Sequence, residues 1–96
     1  MLITSKNNPL VKETAALKDK KGRRLLGSFL VEGKKMTEEC ISGGMQVEKI
    51  FLREGVELSV PVAEDLLVTV SEDVMRHLCD EKTPQGVLCR VKIPNR

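Results

Sequence analysis

The 96-residue chain carries 16 Lys/Arg, 14 Asp/Glu and 41% apolar residues, enough for one small domain with a single core. Phe29 and Phe51 are its only aromatic residues, so the core is aliphatic, and a binder that stacks bases on aromatic platforms is disfavoured. Residues 1–6 lack a signal-peptide core, no apolar run approaches membrane-spanning length, and Cys40, Cys79 and Cys89 show no C-x-x-C spacing. With His77 the sole histidine, no metal site is expected; reduced, buried thiols in a cytoplasmic protein without membrane contact are. Asn8-Pro9 starts the first helix, because Asn caps well and proline at the first position loses no needed N–H. Leu10, Val11, Thr14, Ala15 and Leu17 follow helical spacing, and Gly22 is its expected stop.

The connection 23–27 leads to Ser28-Phe29-Leu30-Val31-Glu32, an apolar run that reads as a strand covered on both faces. Gly33 opens a helix with Met36, Cys40 and Ile41 on one side, ended by Gly43-Gly44. Residues 47–52 form a second strand, 54–65 a loop and 66–70 a third strand. Ser71 caps a short helix whose first turn is acidic and whose apolar side is Val74, Met75, Leu78 and Cys79. Thr83-Pro84-Gln85-Gly86 fits a turn, and Val87, Cys89, Val91 and Ile93 alternate with Leu88, Arg90 and Lys92 in a final strand. Helices between strands predict an α/β fold, a three-layer α/β sandwich with a small, mostly parallel or mixed four-stranded sheet. Phe29, Val31, Ile50, Leu52, Val68, Val70, Val87 and Val91 are its expected core.

Charge is segregated along the chain. Residues 1–35 hold nine basic and three acidic side chains, and residues 36–96 hold seven and eleven. A basic segment suits a polyanion, although a lysine-rich solvated surface gives the same count. Three constellations stand out. Glu32-Gly33-Lys34-Lys35 sits at a strand-to-helix junction, where exposed N–H groups and lysines can grip a phosphate backbone, or where glycine simply packs tightly. Lys18, Lys20, Lys21, Arg23 and Arg24 form a cationic cluster that is equally a solvated helix end. Thr83 and Gln85 can hydrogen-bond a base or a ribose hydroxyl, or only make an efficient turn. No catalytic constellation exists. His77 lies mid-helix without a partner, and Glu72/Asp73 and Glu64/Asp65 are adjacent pairs that do not converge on one substrate.

Four segments in order resemble one family. They are Ile3, Ser5, Asn8, Pro9, Val11 and Lys12; then Leu17, Lys20, Arg23 or Arg24, and Gly27; then Phe29-Leu30-Val31-Glu32-Gly33; then Thr83-Pro84-Gln85-Gly86-Val87-Leu88. Together they are similar to the amino-terminal substrate-binding domain of the SpoU/TrmH-type RNA 2′-O-ribose methyltransferases. The resemblance implies a fold like that of ribosomal proteins that bind RNA kink-turns, and a role in holding rRNA or tRNA for ribose methylation. It places S-adenosylmethionine in a knotted catalytic domain absent from these residues, in a full-length protein expected to be a homodimer. Residues 1–93 are then the RNA-binding domain and residues 94–96 the start of a linker. The helix that the family has between the second and third strands is expected to be reduced to a turn. The RNA contacts expected on this reading are Lys6, Asn7, Lys12, Lys21, Arg23, Arg24, Gly33, Lys34 and Lys35, with Thr83 and Gln85. The rival readings are a protein-interaction or dimerisation domain and a free-standing kink-turn binder. Only the RNA-backbone readings require binding that weakens steeply with salt.

Overall fold

A computed structural model describes residues 2–80 and 85–94. Thr83 and Pro84 of the expected turn lie outside the described residues. The strands are β1 (Leu2–Ile3), β2 (Ser28–Glu32), β3 (Val47–Arg53), β4 (Leu67–Val70) and β5 (Val87–Lys92). The helices are α1 (Pro9–Ala15), α2 (Lys20–Leu26), α3 (Lys34–Ser42) and α4 (Glu72–Leu78), with 3-10 turns at Ala16–Lys18 and Glu64–Leu66. One sheet runs β1-β4-β3-β5-β2. β1 and β3 pair parallel with β4, whereas β5 pairs antiparallel with both β3 and β2. The sheet therefore has five strands, not the expected four, and is evenly mixed. The strand missed is β1, whose two residues are too few to show a period; it is held by Leu2 opposite Thr69 and Ile3 opposite Val70.

The expected helix start holds. The Asn8 side-chain oxygen accepts from the N–H groups of Leu10 and Val11 at 2.9 and 3.4 Å, with Pro9 in the first position. The expected stop at Gly22 does not. α1 gives way to the 3-10 turn and Asp19, then α2 runs through Gly22 to Gly27. Gly22 is needed for a different reason: a Cβ there would lie 1.9 Å from the Ala16 carbonyl oxygen, so only glycine lets α2 fold back against the 3-10 turn.

Two cores lie on opposite faces of the sheet, which makes the three layers. Val11 of α1 and Val74, Met75 and Leu78 of α4 pack with Phe51, Val70 and Leu88 on one face. Cys40 of α3 packs with Ile50, Leu52, Val87, Cys89 and Val91 on the other. Val56, Leu58, Val62 and Leu66 of the β3–β4 connection complete that second face, where only a single 3-10 turn forms. Of the expected core, Ile50, Leu52, Val70, Val87 and Val91 are buried. Phe29, Val31 and Val68 are half-buried. Phe29 and Val31 lie on the edge strand β2, which has a neighbour on one side only. On α3 the inward residues are Thr37 and Cys40, whereas Met36 is 50% exposed, so Met36 is not on the apolar side expected for it. Leu88, on the face of β5 opposite Val87 and Val91, is fully buried as well, because helices cover both faces of that strand.

Burial pushes the Cys89 thiol up from 9.0 to about 11, with nearby Cys40 adding to the rise and the Thr37 hydroxyl opposing it. The fold thus favours the protonated thiol. That contribution is complete below pH 9 and is lost as pH rises through about 11. Urea melts across pH 8–11 should show a steeper alkaline loss in the natural chain than in Cys89→Ala. At neutral pH, Val87→Ala should cost about 2 kcal/mol or more, because buried methyl groups are lost and a cavity remains. Val31→Ala, on the half-buried edge, should cost about half as much, read from the same melts.

Candidate nucleic-acid interface

The pairing pattern points β1, β2, β3 and β4 the same way, with β5 opposed. Their carboxyl ends, Ile3, Glu32, Arg53 and Val70, therefore share one edge of the molecule with Gln85 and Gly86, which lead into β5. Ligands of open α/β sheets bind at such carboxyl ends. Lys6, Asn7, Gly33, Lys34, Lys35 and Gln85 all lie at this end.

The junction of β2 and α3 is assembled by residues far apart in sequence. The Gly33 N–H donates to the Val87 carbonyl oxygen at 2.9 Å, and the Lys34 N–H donates to the Gln85 side-chain oxygen at 3.2 Å. Gly33 caps α3 with φ 101°, a backbone region that favours glycine, and a Cβ there would sit 3.3 Å from the Gln85 oxygen. Gln85, expected to reach for a base, thus meets α3 directly. Two of the N–H groups expected to cradle phosphate already have protein acceptors. Lys34 and Lys35 remain at the rim, Lys35 exposed and Lys34 half-exposed.

The basic residues do not form one continuous face. β1 and β2 are opposite edges of the sheet, so Lys6 and Asn7 lie across four strand spacings from Gly33, roughly 19 Å. The acidic start of α4, Glu72 and Asp73, follows β4, the strand next to β1. Lys12 is exposed on α1. Lys21 and Arg24 are exposed on α2, which runs through Gly27 into the amino end of the edge strand β2, whereas Gly33 follows its carboxyl end.

Arg23 differs from its neighbours. Its Nη1 donates to the carbonyl oxygens of Leu17 and Lys18, both at 3.0 Å, tying α2 to the 3-10 turn. Arg90, which sequence places only in the alternation of the final strand, is another inward cation: its side chain is 11% exposed and pairs with Glu48 at 2.9 Å and with Glu13. The Glu48 carboxylate also accepts from the Ser28 hydroxyl at 2.6 Å. The signal for Arg90 was its position two residues from Leu88 on one face of β5.

Among the described residues no group of three or more His, Cys, Asp or Glu converges, and no helix is long and apolar enough to cross a membrane. Three cavities among the described residues measure about 250–330 Å³.

Residues 8–89 match the family model of the MRM3-like substrate binding domain. Among solved structures, the chain is similar to an RNA 2′-O ribose methyltransferase, with 31% identity and a TM-score of 0.83, covering 100% of this chain and 39% of that one. An rRNA methyltransferase from Sinorhizobium meliloti has the same fold at 24% identity and a TM-score of 0.80, covering 100% and 38%. So does a putative RNA methyltransferase of the TrmH family from Porphyromonas gingivalis, at 20% identity and a TM-score of 0.74, covering 92% and 36%. The chain thus spans about two fifths of the length of these structures. Comparison with curated proteins finds no match.

The contrast between the two arginines is measurable. Arg23→Ala should lower stability by about 1–3 kcal/mol, since two charge-assisted hydrogen bonds to backbone carbonyls are lost. Arg24→Ala should stay within about 0.5 kcal/mol, as exposed substitutions do. Thermal melts of the two variants side by side read the difference.

Proposed function

The chain belongs to the MRM3-like substrate-binding domain family, and from that premise we propose that it holds RNA for 2′-O-ribose methylation carried out by a separate S-adenosylmethionine-dependent domain. The observation that carries this reading is the junction of β2, α3 and β5. There Gly33, Lys34, Lys35 and Gln85 come together at the carboxyl end of the sheet. Methyl transfer itself is assigned to no residue of this chain. S-adenosylmethionine supplies the methyl group when bound in the separate domain, and the role of these residues is to bind and orient the RNA.

Contacts at this edge act on phosphate and ribose rather than on base identity, because ammonium groups meet phosphate as point charges. Lys34, Lys35, Lys21 and Arg24 form the principal contact set. Lys6, Asn7 and Lys12 form a second set at the other edge. A strand that bridges the roughly 19 Å between them covers about five or six stacked nucleotides. Thr83, two residues before Gln85 in the chain, belongs to the proposed contacts. We assign the substrate to rRNA or tRNA and the working compartment to the cytoplasm, in keeping with this reading.

Salt dependence tests the assignment. Replacing Lys34 and Lys35 with Ala should reduce the slope of log affinity against log salt by roughly 1.4 on single-stranded RNA and 1.8 on duplex, one phosphate contact per lysine. A charge-matched control replaces Arg76, paired with Glu72 on α4, and Lys92, which lies opposite Ser28 at the far end of β2. Filter binding across a salt series should show the control slope unchanged. Equal slopes in the two double variants would remove the junction from the interface.

A further inference from the structure

The two proposed contact sets stand at opposite edges of the sheet, and the strip between them is centred on β3. That strand is the middle one of five, two strand spacings or roughly 10 Å from either edge. It ends on Arg53, a cation that stands in none of the sequence constellations. Two backbone hydrogen bonds hold this end in place. The Arg53 N–H donates to the Gly86 carbonyl oxygen at 2.9 Å, and the Glu54 N–H donates to the Val70 carbonyl oxygen at 3.0 Å. β3 is thereby tied at its tip to both β5 and β4.

The Arg53 side chain runs alongside the start of β5. A Cβ added to Gly86 would lie 3.2 Å from the Arg53 Cβ and 3.4 Å from its guanidinium carbon, with Val56 Cγ2 at 3.0 Å. Gly86 also has φ 86°, so both its backbone and its neighbours favour glycine. The residue before it is Gln85, whose side-chain oxygen accepts from the Lys34 N–H. Arg53 thus approaches the junction of β2, α3 and β5 from the side of the central strand. Gly86 and Gly33 put no side chain between Arg53 and Lys34, and that of Gln85 is turned to α3.

Among the described residues the Arg53 side chain has neither an ion pair nor a hydrogen bond. By contrast, Arg23 braces backbone carbonyls, and Arg76 and Arg90 hold carboxylates. Arg53 is half-buried, so it gives up part of its hydration without an acceptor in exchange. Glu54, next in the chain, is exposed and does not pair with it, and the Glu72 carboxylate is held by Arg76, which blunts the acidic start of α4. A guanidinium keeps its charge and offers a planar fork of N–H donors, which matches the oxygens of a phosphate.

We propose that Arg53 is the middle phosphate contact of this end, gripping an RNA strand that leads from Lys34 and Lys35 across Gly86 toward the β1 edge. The proposal rests on the RNA-holding reading and adds the path of the strand to it. About three stacked nucleotides separate Arg53 from either edge. The contact carries no base identity, so its role is to set where the strand runs.

The test uses the whole chain and labelled oligoadenylates of about four and about nine nucleotides, followed by fluorescence anisotropy across a salt series. Arg53→Gln keeps most of the stem beside Gly86 and removes the charge. It should lower the slope of log affinity against log salt by roughly 0.7 on both strands, whereas Arg53→Lys should keep the slope. Lys6→Ala should lower the slope only on the longer strand, because the shorter one reaches the middle of the sheet from Lys34 but not its far edge. An unchanged slope in Arg53→Gln, with the slope still reduced when Lys34 and Lys35 are replaced by Ala, would overturn the middle contact and leave RNA holding intact. Affinity lost at constant slope, with a lower melting temperature, would make Arg53 a cover for Gly86 and overturn the contact as well. If the natural chain binds neither strand, the RNA-holding reading falls, and this contact falls with it. The natural chain also decides the matter without a variant. The Arg53 Nε–H signal in NMR should shift on titration with the longer strand and stay in place with inorganic phosphate at the same concentration. No shift with the strand would overturn the contact, and an equal shift with phosphate would assign Arg53 to free anions and overturn the strand path.

Discussion

The hydrogen bond from the Gly33 N–H to the Val87 carbonyl oxygen fixes the geometry on which the functional end depends. It joins the end of β2 to the beginning of β5, strands that are antiparallel neighbours although more than fifty residues apart. Once that junction closes, Gln85 is carried to the first turn of α3, and Glu32 is carried to the end of α4, where it accepts from Asp80. Without β5 inserted between β3 and β2, neither meeting occurs. The order of strands, rather than any local motif, thus brings two distant segments of the chain to one place.

Local chemistry was readable where a single residue type decides the backbone. Asn8-Pro9, Ser71 and the alternation in β5 each gave their element correctly, because a cap or a period is written in adjacent residues. What sequence could not show was set by contacts across the fold. Gly22 looked like a helix stop and is a contact point with Ala16. β1 carries no period because it is two residues long, and only pairing with β4 makes it a strand. Met36 and Thr37 are adjacent on α3, and which of them faces inward depends on where the helix axis lies over β5.

Sequence named residues that the fold brings together, but not the contacts they make. Lys34, Lys35 and Gln85 were named from sequence and do stand together, yet Gln85 spends its oxygen on the helix start. Arg23 was counted with the phosphate-binding cations, but its Nη1 braces two backbone carbonyls. In sequence Glu32 reads only as part of a junction; that one of its oxygens is enclosed, without a donor among the described residues, shows only in the folded chain. Net charge along the chain overstated how unified the basic surface is, because the first third of the sequence is divided between two edges of the sheet.

The two cores are not separate bodies. Phe51 and Leu88 face one layer while Ile50, Leu52, Val87, Cys89 and Val91 face the other, so the same two central strands belong to both. Loosening either layer exposes one side of β3 and β5 and weakens the support of the remaining layer. Such an arrangement favours a single cooperative transition over stepwise loss of parts. The junction at Gly33 and Val87 is built on one of those shared strands. Its openings are therefore tied to the rare excursions of the whole domain rather than to fraying of a surface loop, and a nucleic acid would meet a surface shaped before it arrives.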